Sequence, residues 1–439
     1  MPTEDLTLSP LIDKLDKLVE EVYYFRDHYF ETHEIEDAVH KNGRVRDKQR
    51  EVLAALDAQE EEAVKEDRAY YLYLRGKLLN VDTEFSQDAE TALSRAVKLN
   101  PAMVCAWNEL GESYTRKEDF VNSKICFEGA LQHTINKVSL RSLSMVLRQL
   151  STSTPEEKVA KIEDSLAKGK EAVSLDTSDG VSWSILGNAF FANFFLVSQN
   201  PKTLKQAMSA YSQAERDPVS RSTPELHYNK GIALKYEEMF EKALQSFSRA
   251  QVLDPTWQGP KSHEENLLKY LINICSLVQL KGKVKPKKLT AMLETLNNKC
   301  LGPYGGGSYM SPKGALVNLT QIPFKDLMDG MNTERVVMGR VVCSVFSEDS
   351  VPFTFCLADS ETSILLVTLY NLSPGRGVII GDSVCIPEPY FTNVDFHYRD
   401  NEIKFGIVRV ESPLVLVING KRASRELQAG VQITTYTKS

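Results

Sequence analysis

The stretch Ala106–Leu131, AWNELGESYTRKEDFVNSKICFEGAL, decides the fold. Trp107, Leu110, Gly111 and Tyr114 stand at i, i+3, i+4 and i+7, one face of an α-helix. After the charged break RKED, the apolar residues Val121, Ile125, Phe127 and Ala130 predict a second helix. A bulky ring on one helix opposite a small residue on the other makes a knob and a hole, so two antiparallel helices can approach closely. One such helical hairpin could be coincidence, so the reading depends on whether it recurs.

It does recur. Upstream, Leu72, Gly76, Ala89, Leu93 and Ala96 form a copy closed by Pro101. Downstream, a weaker copy begins near Lys137, where Leu140, Leu143, Ser144 and Leu147 take the slots of Trp, Leu, Gly and Tyr, with Leu166 and Ala172 in the second helix. Trp183, Leu186, Gly187 and Phe190 start another, followed by Ala207, Tyr211 and Ala214. The last runs through Gly231, Ala243, Phe247, Ala250 and Pro255. The spacing W-x2-L-G-x2-Y…F-x2-A resembles the tetratricopeptide repeat (TPR), a unit of about 34 residues. With an amphipathic opening helix (Leu11, Leu15, Leu18, Val22, Phe25, Tyr29), a helix near 46–66 and a capping helix over 261–280, residues 1–280 read as a TPR α-solenoid of about six irregular repeats. Its aromatic and glycine residues are read as packing.

From 281 the character changes. Residues 281–314 hold the lysine run KGKVKPKKL and the Gly/Ser/Pro stretch LGPYGGGSYMSPKG, expected as a basic segment and a linker. Beyond, in 315–439, five or six short segments rich in Val, Ile, Phe and Tyr predict a small closed β-barrel, of OB type by strand order, with an SH3-like barrel the alternative. The fold class is therefore α + β multidomain, a TPR solenoid followed by an OB-like barrel.

Composition narrows the function. A formal charge of −7 sets up no field that would gather nucleic acid or acidic lipid. The N-terminus lacks the basic region and apolar core of a signal peptide, and no membrane segment is expected. Seven scattered cysteines without a CxxC pair predict reduced, mostly buried thiols. There is no GxxxxGK loop or HExxH, and His28, His33 and His40 are too widely spaced to share a metal on one helical turn. A non-enzymatic, monomeric chain with no cofactor or metal is expected. The barrel aromatics Phe353, Phe355, Tyr370, Phe391 and Tyr398 could stack bases, yet residues 315–439 hold 11 Lys/Arg against 14 Asp/Glu, the wrong sign for a strong backbone binder.

The concave TPR face is where a ligand would be read. Counting from Trp107, the groove positions include Asn108, Glu112 and Thr115, then Arg141, Met145 and Arg148, then Ser184 and Asn188, then Glu225, Tyr228, Ile232 and Lys235. Arg141 and Arg148 share a helical face and could meet a carboxylate; Glu225 could meet a cation of the same ligand. Solvation explains each charge singly, less readily for Arg148 in the apolar context MVLRQL. The Lys and Asn clamp by which co-chaperone TPR domains hold heat-shock chaperone tails is not assembled. Lys281, Lys283, Lys285, Lys287 and Lys288 crowd eight residues; in extended chain the first four project on one side, as RNA phosphate contacts, a solvated linker or a nuclear-import signal.

The stretches FRDHYFETH, KVSLRSLSMVLRQL, AMSAYSQAE, GKVKPKKL, VPFTF and IGDSVCIPEP make the chain resemble the tetratricopeptide repeat protein 5 (Strap) family over nearly its whole length. The resemblance implies a factor in tubulin autoregulation that binds the ribosome (rRNA and protein near the exit tunnel) and recognises the Met-Arg-Glu-Ile or Met-Arg-Glu-Cys start of nascent tubulin. It then recruits an mRNA-decay adaptor and a deadenylase complex. It also implies an alternative, a stress-responsive nuclear cofactor in the DNA-damage response bridging an acetyltransferase and a tumour-suppressor transcription factor. Both cytoplasmic and nuclear residence follow. By the same resemblance Arg148 and Glu225 would take the peptide's Glu and Arg, with Glu225 longer than the family's Asp. Lys285 and Lys287, with Lys283 and Lys288 beside them, would touch the ribosome.

Overall fold

The computed structural model describes residues 8–306, 308–310, 314–347 and 351–429. The chain divides into two compact units, Met1–Lys261 and Ser262–Ser439.

In the first unit, α1 (Pro10–Asp27) packs on α2 (Ala38–Ala58) and α3 (Glu60–Leu79). The expected helix near 46–66 is thus two helices meeting at Gln59, and Asp67 interrupts the second with φ −149°. There follow α4 (Gln87–Leu99), α5 (Val104–Arg116), α6 (Phe120–His133), α7 (Lys137–Gln149), α8 (Pro155–Leu175), α9 (Gly180–Asn193), α10 (Pro201–Ala214), α11 (Pro224–Tyr236) and α12 (Phe240–Leu253). From α3 onward, consecutive helices pair as hairpins, α3 with α4 through α11 with α12.

The knobs and holes read from the sequence are present. A Cβ added to Gly76 would lie 2.5 Å from the Leu93 side chain, and one on Gly111 2.8 Å from the Phe127 ring. At Gly187 the ring is Tyr211, at 2.6 Å, and at Gly231 it is Phe247, at 2.7 Å. No side chain fits at such separations, so only glycine permits these helix approaches. The α7/α8 hairpin departs from the pattern. Ser144 stands in the glycine slot and Gly169 in the ring slot, and the Ser144 and Ser165 hydroxyls each donate to the other's carbonyl at 2.7 Å.

Two details of α6 and α9 differ from expectation. Val121 and Ile125 are 62% and 54% exposed; the buried face of α6 is Ser123, Cys126, Phe127 and Ala130, because positions 121 and 125 lie about half a turn away from it. After α9 the chain widens into one π-helical turn, Phe194–Ser198, that buries Phe194 and Phe195 beside Leu204. By length and composition Gly180–Ser198 could cross a membrane, contrary to expectation; half of that window is buried inside the protein.

The second unit opens with nearly all of α13 (Gln258–Gln279). The expected boundary after 280 therefore differs from the division found: α13 packs with the barrel. Its Glu264 accepts from the Tyr398 hydroxyl at 2.6 Å and pairs with Arg399, and its Tyr270 hydroxyl meets that of Thr354 at 2.8 Å. The main strands are β1 (Arg335–Val345), β2 (Phe353–Ala358), β3 (Ile364–Leu369), β4 (Ser383–Pro387), β5 (Tyr390–Tyr398) and β6 (Asn401–Val410). β1, β2 and β3 form an antiparallel meander, β6 runs parallel to β3, β5 pairs antiparallel with β6, and β4 with β1. Only Glu388 and Pro389 separate β4 from β5, so one bent segment borders both ends of this run of strands and curls the sheet. Phe355, Leu357, Val367 and Ile386 fill its core, which assigns Phe355 to packing.

Over the described residues the expected basic segment and linker hold regular structure instead, while 307 and 311–313 of that stretch lie outside the described residues. Lys281–Lys283 form a 3-10 turn with φ of 46°, 69° and 58° at Lys281, Gly282 and Lys283, and α14 (Pro286–Glu294) follows. The lysines therefore do not lie along one side of an extended chain. In Asn298–Gly306, Leu301 and Tyr304 are buried, and the Tyr304 hydroxyl donates to Val415 O at 2.6 Å. Glycines break up this segment, but its two large apolar side chains anchor it to the barrel.

Candidate functional site

The departure at α7/α8 builds the most unusual side-chain environment in the solenoid. One turn beyond Ser144, Arg148 donates from Nη1 to Ser144 O at 3.0 Å, Ser144 Oγ at 3.2 Å and Ser165 Oγ at 2.8 Å. No carboxylate among the described residues lies within ion-pair distance of it, and Nε and Nη2 have no protein acceptor there. Arg148 is half-buried, and burial pulls its guanidinium down to about 10. An enclosed arginine with one edge open and no acid partner is arranged to receive an anion.

Neighbouring repeats extend this surface. The Tyr211 hydroxyl donates to Asn188 Oδ1 at 2.9 Å, and Asn229 Nδ2 donates to the same oxygen at 3.0 Å, tying α9, α10 and α11 together. Glu225, in the first turn of α11, is reached by solvent yet surrounded by protein. Burial pushes its carboxyl up and nearby Asp254 adds to this, whereas its own backbone N–H and Lys41 draw it down. Lys41 comes from the N-terminal end of the unit, where the turn Ile35–Asp37 contacts α12. Its ammonium lies 5.1 Å from the Phe30 ring centre.

Other expected groove residues have partners already. Arg141 pairs with Asp179 at 2.7 Å, an acid that starts α9, so its charge is spent on joining adjacent repeats. Asn108 accepts from Ser139 Oγ at 2.5 Å, and Glu112 is held by Arg116 at 2.8 Å. Thr115 turns away from the groove to Gly111 O and Ser123 Oγ. Met145 packs with Phe127 and Leu143, and the Tyr228 ring lies 4.7 Å from that of Trp257.

Glu109 was not anticipated. Burial, then Glu112, pushes its carboxyl up to about 7, while Lys77, the Asn80 amide and Arg116 oppose them. Its spacing of three from Glu112 is the only sequence hint, and the bringing together of α3 and α5 is what encloses it.

In the second unit, Lys281, Lys283, Lys285, Lys287 and Lys288 are all exposed. Lys285 precedes α14, and Lys287 and Lys288 lie in its first turn. Lysine charges there add to the unpaired N–H groups of a helix start, a combination that favours phosphate. Among the described residues no group of three or more His, Cys, Asp or Glu side chains could hold a metal.

Residues 318–432 match the family model of the tetratricopeptide repeat protein 5 OB fold domain, and residues 29–168 match that of anaphase promoting complex subunit 8 / Cdc23. The chain is 46% identical over 431 residues to tetratricopeptide repeat protein 5 of Homo sapiens, covering 98% of this chain and 97% of that protein. The chain belongs to the tetratricopeptide repeat protein 5 family. The Mus musculus member is 44% identical over 436 residues, covering 99% of each chain. Among solved structures, a TPR protein of Thermus thermophilus aligns with 41% of this chain and 89% of its own at 16% identity and a TM-score of 0.36. Membership of the tetratricopeptide repeat protein 5 family, with helical repeats and an OB domain, supports an adaptor or scaffold role.

Proposed function

We propose that this protein is a non-enzymatic adaptor that binds the ribosome and reads the N-terminal Met-Arg-Glu-Ile or Met-Arg-Glu-Cys motif of nascent tubulin in its TPR groove. Arg148 receives the glutamate of the motif and Glu225 its arginine. Lys285 and Lys287 hold rRNA phosphate near the exit tunnel, with Lys283 and Lys288 adding charge. The engaged complex recruits an mRNA-decay adaptor and a deadenylase complex, and tubulin mRNA is degraded in the cytoplasm.

The observation that carries this reading is the open guanidinium edge of Arg148, enclosed and without an acid of its own. A charge-assisted contact in such a setting costs about 2–5 kcal/mol when one partner is truncated, enough to make the groove selective. Two modest contacts, one to ribosome and one to peptide, reinforce each other through effective concentration.

Fluorescence anisotropy with a labelled Met-Arg-Glu-Ile-led peptide tests it. Wild type binds; Arg148→Ala, or a peptide with Arg and Glu exchanged, does not. Binding indifferent to both changes would remove the tubulin reading and favour the nuclear scaffold between acetyltransferase and transcription factor.

A further inference from the structure

Cys343 on β1 and Cys356 on β2 are register partners in the antiparallel ladder, just past a bulge that falls between Val341 and Cys343. Both are buried, at 7% and 0% exposure. On β2, Phe355 and Leu357 point into the barrel core, so Cys356 faces the other side with Thr354, whose hydroxyl meets Tyr270 of α13. Directly opposed residues share a face, with Cβ atoms about 4.5–5.5 Å apart, so a disulfide, which needs about 3.5–4.5 Å, forms once the two strands draw together by about 1 Å. Cys343 thus lies against Cys356 beneath the layer that α13 provides.

We propose that Cys343 and Cys356 are a reversible redox dithiol, converted by a hydroperoxide into an intramolecular disulfide. The two sulfurs are not equivalent. A hydrogen bond from Cys356 holds the Cys343 thiol down, and Lys283 acts in the same direction. That bond and burial push Cys356 up. Cys343 is therefore the attacking sulfur and Cys356 the resolving one. The Cys343 thiolate attacks one peroxide oxygen, forming S–O as O–O breaks, and the departing hydroxide takes a proton to become water. Cys356 then loses its proton and attacks the Cys343 sulfur; S–S forms, S–O breaks, and the second oxygen leaves as water. Two thiols and one hydrogen peroxide give one disulfide and two waters, and an external dithiol reverses the step.

The position gives this chemistry a consequence. A Cβ on Gly282 would lie 2.9 Å from the Val342 side chain, so the Lys281–Lys283 turn sits on the bulge beside the pair. Drawing the two strands together at Cys343 changes the seat of that turn.

The test treats the full chain with stoichiometric hydrogen peroxide, alkylates the remaining thiols and maps peptides without reduction. The expected result is a linked peptide joining Cys343 and Cys356, reversed by dithiothreitol. Cys356→Ser should instead accumulate a dimedone-reactive sulfenic acid on Cys343. Hydrogen exchange over 280–284 should differ between the reduced and disulfide forms. Oxidation of other cysteines with this pair left as thiols overturns the dithiol, even if the serine variant fails to fold. A linked peptide with unchanged exchange over 280–284 overturns the coupling to the turn.

Discussion

Arg148 Nη1 donates to the Ser165 hydroxyl at 2.8 Å, within the helix pair whose first helix carries a serine, Ser144, where the other hairpins of α3–α12 carry Gly76, Gly111, Gly187 and Gly231. With glycine at 144 the arginine would lose the Ser144 hydroxyl, which accepts from it at 3.2 Å. The irregularity of this repeat and the pose of its arginine are one feature.

Ser165→Ala should therefore weaken the peptide contact without removing the charge. The expected loss in affinity for the Met-Arg-Glu-Ile peptide is about 1 kcal/mol, well short of that from Arg148→Ala. Isothermal titration of both variants and their double mutant checks it. Equal losses from the two single changes would show that Ser165 matters for folding and not for pose.

Lys41 lies in the field of Glu225 and Asp254. An arginine arriving at Glu225 competes with that resident cation. Lys41→Ala should tighten binding of an arginine-bearing peptide, by about threefold to tenfold on a contribution near 1 kcal/mol. The gain should vanish in a Glu225→Gln background. A loss of affinity in Lys41→Ala would mean that the lysine itself contacts the ligand.

Glu109 makes stability depend on pH in a direction opposite to that of a salt-bridged acid. Its carboxyl is raised from 4.5 to about 7, so between those values the folded chain holds more proton than the unfolded one. The slope of unfolding free energy with pH is then negative, and stability drains away as pH climbs through that window. Glu109→Gln removes the effect. Thermal melts at pH 5 and pH 8 should show the variant gaining on wild type at the higher pH; parallel profiles would sink the assignment.

Charge reversal at Lys285 and Lys287 should abolish ribosome co-sedimentation while leaving the melting temperature unchanged, because both side chains are exposed. Residual binding by wild type should fall steeply with added salt, as for phosphate contacts. Co-sedimentation unaffected by the reversal would remove Lys285 and Lys287 from the proposed ribosome contact.

The solenoid was legible because its packing rule is local and repeats: a missing Cβ at Gly111, Gly187 and Gly231 always opposes a ring. The barrel could be read from its strand-sized apolar segments. Less visible were features that depend on distant residues. Nothing near Arg141 in sequence announces Asp179, 38 residues on, so its pairing had to be seen. The Gly/Ser/Pro stretch 301–314 read as a linker, and its described part 301–306 was missed as structure because Val415, which accepts from Tyr304, is 111 residues away. Glu109 needed α3 to enclose it, and the lysine run needed the turn at Gly282 to fix its shape.

The hydrogen-bonded serines of α7/α8 have a consequence for anyone who would improve this protein. Restoring glycine at 144 and an aromatic ring at 169, the slot of Phe127, Tyr211 and Phe247, would bring the hairpin to the repeat consensus, and consensus changes commonly add about 0.5–2 kcal/mol of stability. The same two substitutions would strip Arg148 of the Ser144 hydroxyl and fill the space beside it with a ring. The sturdier solenoid would be the blinder one, and a selection for heat resistance alone would choose it.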